Sequence, residues 1–276
     1  MCHYIVTSLK DKVGTIILND PEKRNALSKA MASELCQALE SYRFNPDVRV
    51  VVLRGAGGYF SAGGDITSMK KRVDCYARGL RPETQTKENM AGFNRLILAI
   101  RQIEKPVVSW IEGACAGGGL SIAMASDFSI ADESCKMTFA FVNIGLVPDM
   151  GSSLMLMRRV GPARATDLFM TGRRFTGGEA ARLDIITQAV PAGDLEQTVN
   201  ALAAKLAAGP AVSYREIKGA VNRILYPDLY QCMAMESDYV DRLTHTADHA
   251  EAVYAFLEKR AHYYRQEHKR DRYGGD

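Results

Sequence analysis

The order of strand and helix patterns predicts an α/β protein built as a layered spiral. Three observations lead to this class. Strand–strand–helix units repeat along the first 190 residues. The run Val48–Arg54 is rich in valine, which is typical of a strand buried on both faces. After Pro191 the chain is almost wholly helical. A single doubly wound sheet would instead alternate strands and helices one by one.

The first hundred residues are expected to contain two strands before the first helix. Apolar and polar residues alternate in Tyr4–Ser8 and in Val13–Leu18, which is the strand period. Ser28–Phe44 begins with serine and has helical apolar spacing. Residues 67–90 are polar and mixed in charge, so we expect a mobile loop there. Gly92–Ile103 is predicted to be the next helix.

The remaining core is predicted to continue with shorter elements. Val107–Ile111 is expected to be a strand, Leu120–Ser126 a helix, and Phe128–Ala131 and Met137–Phe139 further short strands. We divide the chain into a core of residues 1–200 and a helical region of residues 201–276.

Composition excludes several classes of protein. The 276 residues are 47% hydrophobic and 24% charged, which is ordinary for a globular protein. No apolar run approaches the ~18 residues of a membrane span, and the N-terminus lacks a secretory pattern. Six cysteines occur without a CxxC pair, which favours reduced thiols and a cytoplasmic protein. The net charge is only +3, so nucleic-acid binding is not expected.

The histidines are confined to the two ends of the sequence. All five lie at positions 3, 245, 249, 262 and 268. Their absence from residues 4–244 argues against a histidine-containing triad in the core and against a histidine-ligated metal site.

Two glycine clusters each lie between a predicted strand and a predicted helix. They are SAGGD at Ser61–Asp65 and AGGGL at Ala116–Leu120. A helix N-terminus after a glycine loop presents free N–H groups to an anion, and glycine allows close approach to the backbone. The alternative is that both are simply tight turns. Neither cluster matches a phosphate-binding loop or a dinucleotide fingerprint.

Six segments together resemble the crotonase (enoyl-CoA hydratase/isomerase) superfamily, in the order that this superfamily shows. They are LNDPEKRNAL (18–27), YFSAGGDI (59–66), IEGACAGGGL (111–120), GLVPDMG (145–151), LFMTGRRFTGGEA (168–180) and AFLEKR (255–260). Each segment alone is weak evidence for the superfamily, but the six segments in this order are specific to it. The resemblance implies a crotonase-type spiral of β-β-α units with a C-terminal helical region for oligomerisation.

The resemblance also implies an acyl-CoA site. The amides of Gly64 and Gly118 would form an oxyanion hole for the thioester carbonyl, which agrees with the need of an enolate for two fixed donors. Asp65 is expected to cap the following helix. The implied coenzyme A contacts are Arg24, Ala26, Ala62 and Ile66, with Lys259 of a neighbouring subunit near the phosphates. A solvated helix face is the alternative for Lys259.

The sequence departs from the superfamily's hydratases at two positions. The two glutamates that activate water there correspond to Ser121 and Phe141 in this chain. Phenylalanine carries no proton, and a serine would need a neighbouring base. Ordinary addition of water is therefore disfavoured, and Ser121 and Phe141 remain as substrate-binding candidates.

Asp149 is the candidate acid/base. It follows Pro148, at a position where several relatives, including isomerases, carry their acting acid. One carboxylate opposite an oxyanion hole suffices to move a proton between carbons. Apolar neighbours such as Phe141 and Leu146 are expected to raise its pKa by desolvation. The alternative is that Asp149 caps the helix after Pro148.

Isomerisation is the favoured activity, and two alternatives stay open. One is hydration of an enoyl-CoA or a cyclic dienoyl-CoA, and the other is acyl-CoA binding without catalysis. Dehalogenation is disfavoured because relatives of that branch use a histidine in a region where this chain has none. Glu83 and Glu88 would supply a second acid if their loop folds inward; otherwise they are solvated.

The partners expected from the resemblance are an acyl-CoA thioester and further copies of this chain, as a trimer or a dimer of trimers. No separate cofactor is expected, because coenzyme A is part of the substrate. The apolar residues of the tail would pack between subunits or, alternatively, on their own core. They are Met233, Tyr239, Leu243, Val253, Phe256 and Leu257.

Overall fold

The structure is a computed structural model that describes residues 4–264. The strands in this range are β1 (Ile5–Lys10), β2 (Val13–Leu18), β3 (Val50–Gly55), β4 (Val107–Ile111), β5 (Ala114–Ala116), β6 (Phe128–Asp132), β7 (Lys136–Thr138), β8 (Arg174–Thr176) and β9 (Gln188–Val190). The α-helices are α1 (Lys29–Phe44), α2 (Ile66–Ala77), α3 (Thr86–Gln102), α4 (Gly118–Ala125), α5 (Ser152–Val160), α6 (Pro162–Thr171), α7 (Gly177–Arg182), α8 (Leu195–Ala208), α9 (Ala211–Leu225), α10 (Leu229–Leu243) and α11 (Ala247–Glu258).

The larger sheet has six strands in the order β1-β2-β3-β4-β6-β9. Only β1 and β2 pair antiparallel; the other pairs are parallel. On β3, Val51 and Leu53 belong to the cluster that includes α1 and α3. Val50 and Val52 alternate with them and pack in the cluster that includes α8. The predicted burial of this strand on both faces is therefore confirmed.

A smaller sheet, in the order β5-β7-β8, brings the two glycine loops together. A bridge between Ser61 and Cys115 holds the first loop beside β5, just before the second loop. A Cβ on Gly63 would lie only 2.8 Å from the carbonyl oxygen of Ala116. Glycine is needed here because the two backbones approach so closely.

The α/β class with strand–strand–helix units and C-terminal helices is confirmed, but the loop predicted at residues 67–90 is wrong. That segment contains most of α2 and the beginning of α3. Asp65 caps α2 as expected, since its carboxylate accepts the Thr67 N–H at 2.9 Å. The pattern of α2 was weak because the helix buries only Val73. Packing of α2 against α11 therefore stabilises a helix whose own hydrophobic periodicity is weak.

The apolar side chains of the C-terminal helices lie partly in the chain's own core and partly on its surface. Met233 and Val253 are buried, whereas Tyr239, Phe256 and Leu257 are exposed. The proposed division at residue 200 falls inside α8; that division and the assembly into trimers stay predictions. No helix within residues 4–264 combines the length and apolar character that a membrane span requires.

Candidate active site

Both glycine loops and Asp149 border one cavity with a volume of about 140 Å³. Helices α2 and α3 supply one wall, including Met69 and Phe93. Val240 of α10, Thr244 directly after α10, and Phe256 of α11 complete it. The C-terminal helices therefore take part in the site of their own chain, which the sequence did not indicate.

The amides of Gly64 and Gly118 are free at the edge of this cavity. Within residues 4–264 neither N–H donates to a backbone carbonyl. Gly118 is the first residue of α4, where helix N–H groups have no partner inside the helix. Two such donors and a helix N-terminus suit an oxygen that gains negative charge.

Asp149 lines the same cavity. Its Oδ1 is shielded from solvent and has no hydrogen-bond partner among the described residues. Burial, and secondly the charge of Glu236, raises the pKa of Asp149 to about 8. The carboxyl does not cap α5, whose N-cap is Gly151 without a side-chain bond. A buried carboxyl group with a pKa near neutral can both accept and return a proton.

Glu236 of α10, and not Asp149, caps the N-terminus of α5. Its carboxylate accepts the Gly151 N–H at 2.7 Å and the Ser153 N–H at 2.9 Å. Glu236 is 1% exposed, and burial raises its pKa as well. Sequence reasoning missed this residue, because it lies 85 positions from Gly151 and no local pattern links them.

The turn before α5 directs Asp149 toward the cavity. Met150 and Gly151 both have left-handed backbones, with φ of 56° and 76°. For methionine this conformation is strained, and the surrounding contacts must maintain it. Ser152 Oγ donates to the Asp149 carbonyl oxygen and lies 2.7 Å from Ser121 Oγ. Ser121 is buried and supports this turn; it is not among the residues that line the cavity.

Three further candidates line the cavity: Ala62, Ile66 and Phe141. Phe141 packs near Gly117, in the loop that leads to α4. The structure therefore brings six of the predicted site residues together around one space, and their roles stay predictions.

The remaining candidates lie outside the cavity. Arg24 is exposed and its guanidinium lies 5.3 Å from the centre of the Tyr59 ring. Ala26 is buried, and Lys259 lies exposed at the C-terminal end of α11. Their predicted contacts with coenzyme A, and with a neighbouring subunit for Lys259, stay predictions.

The two glutamates considered as a second acid do not reach the cavity. Glu83 is exposed and borders a surface groove that adjoins the cavity, since Arg72 and Asn89 line both. Glu88 is also exposed, and its carboxylate accepts the Gln85 N–H at 3.4 Å at the start of α3. Within residues 4–264 no three His, Cys, Asp or Glu side chains are grouped as a metal site would require.

The chain is similar over nearly its whole length to known proteins of one family. The enoyl-CoA hydratase/isomerase family model matches residues 8–267. A probable enoyl-CoA hydratase of Rhodobacter capsulatus is 37% identical over 94% of this chain and 96% of its own. The 1,2-epoxyphenylacetyl-CoA isomerase of Escherichia coli is 32% identical over 95% and 98%. A crystal structure of an enoyl-CoA hydratase from Mycobacterium avium subsp. paratuberculosis aligns with a TM-score of 0.85, at 30% identity, covering 95% of this chain and 98% of that one.

Proposed function

Because the chain belongs to the enoyl-CoA hydratase/isomerase family of the crotonase superfamily, we propose that it isomerises an acyl-CoA thioester with Asp149 as acid and base. The observation that carries the proposal is the Asp149 carboxyl, with an Oδ1 that is shielded from solvent and has no hydrogen-bond partner within residues 4–264, in one cavity with the Gly64 and Gly118 amides. No other Asp or Glu of the described chain lines that cavity.

The reaction follows from this arrangement. The thioester oxygen accepts hydrogen bonds from the two glycine amides, and ionised Asp149 removes a proton from carbon. The resulting enolate is stabilised by the same two amides. Asp149, now protonated, returns the proton to another carbon, so the double bond moves and the mass does not change. A pKa near 8 makes its carboxylate a stronger base than an ordinary aspartate.

Hydration is the second candidate, because several relatives carry hydratase names, including that of Rhodobacter capsulatus. It needs a group to hold and activate water. Ser121 is buried against Ser152 and Phe141 is apolar, so Asp149 would have to act on water alone. Isomerisation needs only the one carboxyl group and is therefore favoured.

Turnover measured with mass resolution separates these reactions. The purified protein is given a panel of 2-enoyl, 3-enoyl and cyclic dienoyl-CoA thioesters. We expect a shifted double bond with unchanged mass in at least one of them. Gain of one water would favour hydration, and binding without any product would contradict both activities.

A matched pair of variants tests the oxyanion hole. Gly118→Ala and Gly118→Pro both add a Cβ, which lies 2.9 Å from Leu27 Cδ1 and Met150 Sδ, the ends of side chains. Only proline removes the N–H, and proline is tolerated at the first position of a helix. We expect kcat for Gly118→Pro to be ~10²–10³-fold below that for Gly118→Ala. Equal rates for the two variants would rule out this amide as a donor.

A further inference from the structure

Arg72 of α2 lines the cavity that holds Asp149. Its Nε is shielded from solvent and has no hydrogen-bond partner within residues 4–264. No carboxylate of the described chain lies within salt-bridge distance of the guanidinium. Burial lowers the pKa of Arg72, against the opposing influence of Tyr76 and Asp65.

The carboxylates near α2 are committed to other groups. Asp65 accepts hydrogen bonds from the Thr67 N–H and from Ser68 Oγ, each at 2.9 Å. Asp74 pairs with Lys70 at 2.6 Å. Arg72 as a whole is half-buried, but an Nε–H that is shielded from solvent without an acceptor is unfavourable, and an anion that accepts from it recovers that free energy. The unpaired charge therefore indicates a ligand anion.

The side chains around the cavity suggest where that anion belongs. Asn89, Thr86 and Thr244 are polar and line the cavity together with Arg72. The volume of about 140 Å³ is close to that of a cavity that admits benzene. An acyl group of about six to eight heavy atoms therefore fits within this volume.

We propose that the acyl group of the substrate is short and ends in a carboxylate, and that Arg72 binds this carboxylate. Arg72 is then a specificity-determining residue, because an uncharged acyl group of the same length leaves the guanidinium unpaired. This inference rests on the proposed function, since it takes the cavity as the acyl site.

A phosphate of coenzyme A is a second source of the same negative charge. Arg72 also borders an outer groove, which contains the basic side chains of Lys29, Lys71 and Arg78. A phosphate contact would strengthen the binding of every coenzyme A derivative equally. A carboxylate contact would strengthen only the thioesters that carry the carboxylate.

Binding measured by calorimetry distinguishes the two sources. The ligands are coenzyme A itself and saturated thioesters in pairs: succinyl with butanoyl, glutaryl with pentanoyl, and adipoyl with hexanoyl. Saturated thioesters are not substrates for double-bond migration, so the result does not depend on whether Asp149 catalyses isomerisation. The proteins are the wild type, Arg72→Met, Arg72→Lys and Lys71→Met.

We expect the wild type to bind the carboxylated member of at least one pair ~10- to 100-fold more tightly. Arg72→Met should lose this preference while its affinity for coenzyme A stays unchanged, which also shows that it is folded. Arg72→Lys should keep part of the preference. Lys71→Met removes an exposed charge one residue away and should keep all of it.

Two results would overturn the proposal. One is a wild type without preference in any pair. The other is an Arg72→Met protein that binds coenzyme A and both members of each pair more weakly by the same factor, which would assign Arg72 to a phosphate. Failure to isomerise any enoyl-CoA would overturn the proposed function but not a measured preference for carboxylated thioesters.

Discussion

Asp65 and Asp149 lie in similar places in the sequence, yet they have opposite properties. Each follows a turn that contains glycine or proline, and each lies just before a helix. Burial alone would raise the pKa of Asp65, but hydrogen bonds from Ser68 and Thr67 and the charge of Lys23 lower it. Burial and the charge of Glu236 raise the pKa of Asp149 to about 8.

The difference comes from which side chain caps the helix. Asp65 caps α2 itself, so its negative charge is stabilised by the N–H of Thr67. At α5 the N–H groups of Gly151 and Ser153 are taken by Glu236. The Asp149 Oδ1 is left shielded from solvent without a donor among the described residues, and a carboxyl group in that condition favours its protonated form. Capping by a distant residue thus leaves the Asp149 carboxyl free of the helix N-terminus.

The largest expected effect is on turnover. Asp149→Asn should lower kcat/KM by ~10²–10⁴-fold, because the amide cannot accept a proton from carbon. Asp65→Asn is the matched control, since asparagine is an equally good N-cap, and it should stay within about threefold of wild type in steady-state assays. Similar losses in both variants would show that the two aspartates do not differ in function.

The next effect is on stability. Between about pH 4 and pH 8 the unfolded chain has released the Asp149 proton that the folded chain retains. Asp149 therefore lowers the free energy of unfolding progressively as the pH rises through this range. Asp149→Asn should raise that free energy at pH 7 by ~2–4 kcal/mol and have little effect near pH 4. Urea unfolding at both pH values checks this.

The opposite sign, a loss of stability at pH 7, would mean that the carboxyl has a stabilising partner in the folded protein. Asp65→Asn should show the reverse pH dependence, because a lowered pKa contributes stability that is lost on acidification.

The smallest expected effect is a shift of the pH profile. For the wild type, kcat/KM should rise with pH, with its midpoint near pH 8, as Asp149 ionises. Glu236→Gln removes a neighbouring negative charge, so the midpoint should move to lower pH by about one unit. Initial rates measured from pH 5 to pH 9 give the midpoint.

Glu236→Asp keeps the charge and serves as the control; its midpoint should stay near that of the wild type. Glu236→Gln also loses one acceptor for the Gly151 and Ser153 N–H groups, at a cost of ~1–3 kcal/mol of stability. An unchanged midpoint in a folded Glu236→Gln protein would exclude Glu236 as a determinant of the Asp149 pKa.

The sequence by itself was sufficient for the fold class and indicated six of the residues that line the cavity. Period-two and helical patterns located Val13–Leu18 and Val107–Ile111 at the observed bounds, because strands buried in a sheet must be apolar in a regular way. The glycine loops were also predictable, since close backbone approach restricts the residue type, whereas Asp149 became a candidate only through the resemblance to the superfamily.

Only the tertiary structure decided the state and surroundings of Asp149. Glu236 and Arg72 reach the site from α10 and α2, and local patterns carry no information about such distant contacts. The sequence predicts a loop at α2 because the apolar face of this helix is narrow. The helix depends instead on packing against α11. A carboxyl group's pKa depends on burial and neighbouring charges, and these exist only once the chain has folded.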